Sequence, residues 1–238
     1  MLFRSTANAV KLTTNVFRDV NIAFINELSL LFTKLGIDTF QVLEAAKTKY
    51  NFQVHYPGAG VGGPCLPVNS YQMINIAKKH TNELKLIRIS REINELMPEH
   101  VIALTVDGFT SAKKQISGST ILVLGISYKP NVKDIQLSPA EKIIEKLGQL
   151  NVNVKIYDPY YISTEVFGIK TESDLHSILS QTDAIIIVTA HKDFHDLEPT
   201  FLKSKMKTPI VIDSRGIIDK HAATKSGLIF RGIGRGHS

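Results

Sequence analysis

The segment best suited to chemistry is a loop rich in glycine and proline, residues 51–67, which we call the cysteine loop. It contains Cys65, the only cysteine of the chain, directly after a Gly-Gly-Pro run. Glycines allow a ligand to approach the backbone closely, and the N-terminus of a helix stabilises a thiolate. A helix predicted to start at Asn69 would point its N-terminus at the sulfur. These features fit a nucleophilic cysteine and a buried structural cysteine about equally.

Three glycines of the same loop have the spacing of a dinucleotide-binding fingerprint, G-x-G-x-x-G, at Gly58, Gly60 and Gly63. That fingerprint requires a strand before it and a helix directly after it. Pro64 and Pro67 are expected to prevent such a helix, and helices are predicted on both sides of the loop. The sequence therefore argues against a dinucleotide site here.

The first predicted helix carries a stripe of polar side chains. Asn8, Lys11, Asn15 and Arg18 follow one another at helical spacing, and Asn26 continues the same face. Solvated faces favour Glu, Lys and Gln, whereas Asn is a mediocre helix former. The stripe is thus either an ordinary solvated face or a set of placed donors, and a lysine beside an amide can stabilise a developing oxyanion.

The elements that must position these groups differ between the two halves of the chain. Helices are predicted over residues 6–35, from Asp38, over 69–79 and over 82–106, with Gly108 ending the last. Later, β-branched runs alternate with helical segments; the runs are 121–124, 152–157, 184–188, 210–212 and 228–230. This alternation predicts a parallel sheet covered on both faces. The predicted fold is α/β, with an all-helical domain at 1–108, a linker at 109–118 and a Rossmann-like domain at 119–238.

Polar residues follow the carboxyl ends of the predicted strands, where open parallel sheets bind ligands. Lys129 and Arg215 are suited to holding phosphates at this edge. Asp158 and His191 lie at the same edge, but caps or loop contacts are the more ordinary role for them.

Composition limits the function classes. The chain has 238 residues, 43% hydrophobic and 21% charged, which is typical of a folded protein. Its formal net charge of +6 suits an anionic ligand, but no block rich in lysine and arginine indicates nucleic-acid binding. No apolar run approaches the roughly 20 residues that span a bilayer. The start lacks the apolar core of a signal peptide, and one cysteine cannot form an internal disulfide. We therefore expect a cytoplasmic protein that binds neither membrane nor nucleic acid.

Several stretches together resemble the UDP-glucose/GDP-mannose dehydrogenase family. They are residues 11–15 with Asn26-Glu27, residues 62–67, and residues 127–131 with Asp134 and Ser138-Pro139. Residues 213–216 are similar to a weaker fourth motif. The resemblance covers nearly the whole chain in the right order. The cysteine loop, with Tyr56-Pro57-Gly58, is most similar to the branch that oxidises UDP-N-acetylmannosamine.

The resemblance implies NAD-dependent oxidation of a nucleotide sugar from the primary alcohol to the carboxylate. Cys65 would attack the intermediate aldehyde as a thiolate, and the resulting thioester would be hydrolysed. Lys11 and Asn15 would stabilise the oxyanion and hold the attacking water, with Asn69 as a further catalytic position. Implied substrate contacts are Arg18, Asn51, Gly62, Gly63, Tyr128, Lys129 and Arg215. The implied partners are a UDP-sugar and a second copy bound through the helical domain; no metal ligand is assigned.

Three departures from the family pattern qualify this expectation. Asn69 stands where the family usually has an aspartate, so proton handling differs. Gln136, the implied cofactor contact, stands where an arginine is common. Nothing before Lys11 can form the family's NAD domain, so a separately encoded NAD-binding part is one expectation. A non-catalytic nucleotide-sugar-binding or dimerisation remnant is the alternative, and a nucleic-acid-binding protein is a more remote one.

Overall fold

The computed structural model describes residues 6–236, as a helical half followed by an α/β half. Residues 1–5 and 237–238 of the predicted domains lie outside the described residues. The helical half contains α1 (Thr6–Lys34), α2 (Thr39–Ala46), α3 (Leu66–Lys79) and α4 (Lys85–Ser111). Helix α1 packs against both α3 and α4. None of the described helices is long and apolar enough to cross a membrane.

The α/β half is built on a parallel sheet in the order β2-β1-β5-β6-β7. Its strands are β1 (Thr120–Leu124), β2 (Asn153–Tyr157), β5 (Ala184–Ile187), β6 (Ile210–Asp213) and β7 (Ile229–Gly232). A small antiparallel hairpin, β3 (Glu165–Val166) and β4 (Ile169–Lys170), follows β2. The helices are α5 (Pro139–Gln149), α6 (Leu175–Leu179), α7 (Pro199–Lys205) and α8 (Lys220–Ser226), with a short 3-10 helix at Lys192–Phe194. The predicted α/β fold, helical first and Rossmann-like second, is confirmed.

The two faces of the sheet bury alternate residues of each strand, as the pleat requires. Ile121 and Val123 face a core that includes Met97 and Val101 of α4. Leu122 and Leu124 face a second core, which α6, α7 and α8 complete. Helix α4 also contacts β6 and β7. It therefore belongs to the helical half and at the same time covers one face of the sheet.

Two local predictions are wrong. Gly108 does not end a helix, because α4 runs through it to Ser111. A Cβ at Gly108 would lie 2.8 Å from Cγ2 of Ile210, so the glycine lets α4 approach β6 closely. Helix α3 begins at Leu66 and not at Asn69, with Pro67 in its first turn, where no backbone N–H is needed.

The start of α3 at Leu66 changes the reason why the glycines of the cysteine loop do not form a dinucleotide site. Pro67 does not prevent a helix after the cysteine loop, since α3 starts directly there. The missing feature is the strand, because residues 52–62 have no strand structure. The conclusion that this loop is not a dinucleotide site is unchanged. The predicted boundaries at 108 and 119 stay predictions, although residues 109–111 of the linker are helical.

Candidate functional site

Cys65 is the N-cap residue of α3, and its side chain is exposed. Its carbonyl accepts a hydrogen bond from the N–H of Asn69 at 2.9 Å, while its side chain takes no part in capping. The thiol therefore lies closer to the helix N-terminus than predicted, where partial positive charge stabilises an anion. This exposure excludes the buried structural cysteine that the sequence left open.

An amide pair joins α1 to the first turn of α3. Nδ2 of Asn15 donates to Oδ1 of Asn69 at 2.5 Å, and Asn69 in turn donates to Gln72 at 3.2 Å. Asn15 is 8% exposed, so this member of the polar stripe is not a solvated residue. Asn69 accepts this hydrogen bond through its amide oxygen, as an aspartate would through a carboxylate oxygen. Unlike a carboxylate, however, the amide cannot act as a base and take up a proton. Asn69 thus makes this contact without the acid–base chemistry that a carboxylate would offer.

Three further polar residues predicted for this region are exposed. Lys11 lies one turn before Asn15 on α1, and Arg18 lies one turn after it. Asn51 is exposed in the turn that follows α2. Within residues 6–236, the side chains of these three form no hydrogen bond or ion pair, so they are available to a ligand.

A buried ion pair beneath the site escaped sequence reasoning. Asp19 is fully buried and lies 2.9 Å from Nη1 of Arg91 on α4. Ser70 of α3 donates to the same carboxylate at 2.6 Å. Burial by itself lowers the pKa of Arg91, but attraction to Asp19 and bonding to Glu95 outweigh it, so that pKa lies above its ordinary value. The pair ties α1, α3 and α4 together under the cysteine loop.

Asn26 connects this buried pair to the cysteine loop. Its Oδ1 accepts the backbone N–H of Gly58 at 2.9 Å, and its Nδ2 donates to Asn94 at 2.9 Å. Asn94 donates in turn to Asp19 at 2.8 Å. The last asparagine of the predicted stripe is therefore a fully buried anchor for the loop.

The α/β half packs directly on the cysteine loop. The N–H of Gly63 donates to the carbonyl of Gln136 at 2.9 Å. Gly63 has a φ of +89°, and a Cβ there would lie 2.6 Å from Cε2 of Tyr128. A Cβ at Gly62 would collide with the carbonyl of Leu137. Both glycines are thus needed for the contact between the halves, in addition to any role with substrate.

Two cations predicted to bind phosphate lie in different surroundings. Lys129 is exposed, with Nζ 5.9 Å from the ring centroid of Tyr128. Arg215 is half-buried, and its guanidinium packs against Gly58. Burial lowers the pKa of Arg215, and attraction to Asp213 opposes that shift. Within residues 6–236 this guanidinium donates no hydrogen bond, so it is a partly desolvated cation able to receive an anion.

Asp158 and His191 take the ordinary role predicted for them. Both are fully buried, and Nε2 of His191 lies 3.0 Å from Oδ2 of Asp158. They support the loop that follows β1 and do not face solvent. The geometry thus combines an exposed thiol at a helix N-terminus, the Asn15–Asn69 amide pair, exposed cations on α1, and a guanidinium that has no hydrogen-bond partner in residues 6–236. Such a set of groups suits an anionic substrate with an electrophilic carbon.

Models of one protein family match both halves of the chain. The model of the UDP-glucose/GDP-mannose dehydrogenase central domain matches residues 5–96. The model of the UDP binding domain of the same family matches residues 122–220.

Individual relatives agree with these matches. The UDP-N-acetyl-D-mannosamine dehydrogenase of Pyrococcus horikoshii is 39% identical over 98% of this chain and 52% of its own length. Its solved structure superposes with a TM-score of 0.87 over 97% of this chain and 52% of that one. The NDP-N-acetyl-D-galactosaminuronic acid dehydrogenase structure from Methanosarcina mazei gives a TM-score of 0.89 at 27% identity, over 97% of this chain and 51% of that one. The chain spans about half the length of the curated relatives that it matches.

Proposed function

Because this chain belongs to the UDP-glucose/GDP-mannose dehydrogenase family, we propose that it supplies the thiol and the UDP site of an NAD-dependent nucleotide-sugar dehydrogenase. The observation that carries the proposal is the position of Cys65, exposed at the start of α3 beside the Asn15–Asn69 pair. The proposed substrate is UDP-N-acetylmannosamine, which the identity to the Pyrococcus enzyme supports.

The proposed chemistry of this chain concerns the aldehyde formed after the first oxidation. The thiolate of Cys65 forms a C–S bond to the carbonyl carbon, and the oxygen of the resulting thiohemiacetal takes up negative charge or a proton. Transfer of a hydride to the oxidant, with loss of the hydroxyl proton where one is present, leaves a thioester, and water then releases the carboxylate, a proton and the free thiol. Lys11 and the amide of Asn15 are the donors proposed to stabilise charge on that oxygen and to hold the water.

The geometry of the cysteine loop does not fit NAD, and we propose that the oxidant is bound elsewhere. The glycines with fingerprint spacing have no strand before them, and two residues of that loop are covered by Tyr128 and Leu137. We therefore propose that an NAD-binding part, in a longer protein or a separate chain, accepts the hydride. Gln136 is exposed near the cysteine loop and is proposed to face that part.

Asn69 supports a second candidate function, a binding or dimerisation remnant without activity. An amide at this position cannot take a proton from water during thioester hydrolysis. The two candidates differ in one experiment, in which the chain is completed with the NAD-binding part of a relative. A slow enzyme is supported if the completed wild-type protein shows low but measurable turnover and Asn69→Asp raises it. The remnant is supported if neither the wild-type protein nor the Asn69→Asp variant turns over.

Binding of UDP tests the proposed nucleotide site. Isothermal calorimetry of the purified chain is expected to show saturable UDP binding, because Lys129 and Arg215 offer cations at the carboxyl edge of the sheet. A single-stranded oligonucleotide is expected not to bind. Failure to bind UDP together with strongly salt-dependent oligonucleotide binding would support a nucleic-acid-binding protein instead.

We propose that α1 forms a homodimer through an exposed apolar row. Val10, Phe17, Phe24 and Leu31 recur every seven residues and are 56%, 47%, 50% and 50% exposed. Regular apolar rows of this length on a helix are typical of a helix–helix interface.

The dimer is expected to be lost when charges are placed in this row. In sedimentation velocity at micromolar concentration, the wild-type chain should sediment as a dimer, and Phe24→Glu with Leu31→Glu as a monomer. Ile162→Glu, on an exposed apolar residue of the α/β half, should leave the dimer intact. A wild-type monomer, or a dimer in the double variant, contradicts the proposal.

We also propose a cytoplasmic location. A thiol that acts as a nucleophile must remain reduced, and the cytoplasm keeps thiols reduced.

A further inference from the structure

A single loop of the α/β half reaches both parts of the candidate site. This 126–136 loop follows β1 and carries Lys129, one of the proposed phosphate ligands. Tyr128 lies against Gly63, and the carbonyl of Gln136 accepts the Gly63 N–H at 2.9 Å. The position of this loop therefore affects both the cation offered to the nucleotide and the backbone just before Cys65.

Asp158, directly after β2, holds the start of this loop. Its Oδ2 accepts the backbone N–H of Ile126 at 2.8 Å and that of Ser127 at 3.3 Å. Its Oδ1 accepts the N–H of Tyr160 at 2.9 Å. Burial by itself raises the pKa of Asp158, but hydrogen bonds from His191 and the backbone outweigh it, so that pKa lies below its ordinary value. The carboxylate is thus an ionised anchor.

His191 holds the middle of the loop, and its bonds define its tautomer. The backbone N–H of Asn131 donates to Nδ1 at 3.0 Å, so Nδ1 carries no proton. Nε2 must then carry the proton, and it donates to Oδ2 of Asp158 at 3.0 Å. The ring contacts the rings of Tyr160 and Phe194, at centroid distances of 5.1 and 5.5 Å. A fully buried imidazole thus links the loop to its carboxylate anchor.

Asn131 has features of a residue that must be held in place. Its φ is +61°, which is uncommon for a residue other than glycine. Its Oδ1 accepts the N–H of Lys192, next to His191, at 3.0 Å. Without the acceptor on His191, the Asn131 N–H would lose its partner, and the turn after Lys129 would lose one of the two hydrogen bonds that hold Asn131.

We propose that His191, together with Asp158, is a positioning residue that sets the 126–136 loop, so that Lys129 meets the nucleotide and Gly63 is supported before Cys65. The part that concerns the nucleotide rests on the proposed function. The part that concerns the support of Gly63 does not, because it follows from contacts within the chain.

Three replacements of His191 separate positioning from simple filling of space. Asparagine can place an oxygen near the position of Nδ1 and so keep the acceptor for Asn131. Glutamine reaches the position of Nε2 and keeps the donor to Asp158, while phenylalanine keeps the volume and neither bond. A role in packing alone ranks phenylalanine and glutamine ahead of the smaller asparagine. A positioning role ranks asparagine first.

The test combines amide hydrogen exchange with UDP calorimetry. In His191→Phe, amide exchange of Gly63 and of residues 129–136 is expected to become about tenfold faster than in wild type, and UDP binding about tenfold weaker, the size of one lost hydrogen bond. His191→Asn should stay within about threefold of wild type in both readouts. His195→Phe, at an exposed histidine after the same 3-10 helix, should change neither.

Each remaining outcome decides the matter. Wild-type values in His191→Phe, or an Asn variant as impaired as the Phe variant, overturn the proposal. If the Phe variant does not fold, the Asn and Gln variants are compared. An Asn variant closer to wild type than the Gln variant supports the proposal, and the reverse order overturns it. If wild type does not bind UDP, the proposed function fails, and the exchange of Gly63 still tests the role of His191.

Discussion

Replacing Asp19 with alanine is expected to lower the free energy of unfolding of the chain by about 3–5 kcal/mol. The change removes one partner of a buried ion pair and leaves the guanidinium of Arg91, which is 3% exposed, without its main counter-charge. Ser70 and Asn94 lose an acceptor at the same time. Denaturant unfolding followed by circular dichroism measures the difference.

Glu92→Ala is the matched control. Glu92 also pairs with an arginine on α4, at 2.7 Å from Arg88, but both side chains are about half exposed. An exposed pair of this kind contributes only about 0.2–1 kcal/mol. If Asp19→Ala and Glu92→Ala lower the free energy of unfolding by the same small amount, the buried pair is not the anchor described above.

The second large effect is expected at Arg215. Replacing it with alanine should weaken UDP binding about 10- to 100-fold, because a charge-assisted hydrogen bond to an anion contributes about 1.5–3 kcal/mol. Its guanidinium is half-buried and has no hydrogen-bond partner in residues 6–236. Part of the free-energy cost of removing it from water therefore arises on folding and not on binding. Calorimetric titration of wild type and variant with UDP gives the ratio.

Two further variants make this measurement specific. Arg215→Lys keeps the charge but not the planar fork of donors, and should fall between wild type and alanine. Lys205→Ala removes an exposed cation at the end of α7, which lies at the opposite edge of the sheet, and should have no effect. Equal UDP affinity of wild type and Arg215→Ala would show that Arg215 does not bind the nucleotide.

The architecture could be predicted because its signals are local. Runs such as 184–188 and 210–212 are continuously apolar, as strands buried on both faces must be, and both correspond to strands of the sheet. The end of α1 could also be predicted locally, because Gly36 directly follows the predicted helix 6–35, and its φ of +72° in the structure is the conformation that glycine favours.

The features that were missed depend on partners distant in the sequence. Asp19 meets Arg91 across 72 positions, and nothing in the neighbourhood of either residue identifies the other. Gly108 has a helix-ending residue type, but the nearby side chain of Ile210 determines its role. The one signal available in the sequence is that Arg91 lies at helical spacing after the apolar residues Leu84 and Ile87, which could have indicated a buried charge but not its partner.

The candidate site also contains features that the sequence predicts locally and features that depend on distant partners. The position of Cys65 near a helix N-terminus and that of Asn15 on the adjoining helix follow from local patterns and the family resemblance. The packing of Tyr128 and Gln136 against Gly63 could not be inferred, because it depends on how the two halves meet.

Protection of Cys65 by substrate is the most direct test of the claim that the thiol lies at the sugar end of the nucleotide site. Iodoacetamide is expected to label the thiol of the native chain, because Cys65 is exposed, and mass spectrometry gives the labelling rate with and without ligand. Saturating UDP-N-acetylmannosamine is expected to slow labelling by about tenfold or more, and UDP, which lacks the sugar, much less. A nucleotide sugar that binds by calorimetry yet leaves the labelling rate of Cys65 unchanged would contradict the claim.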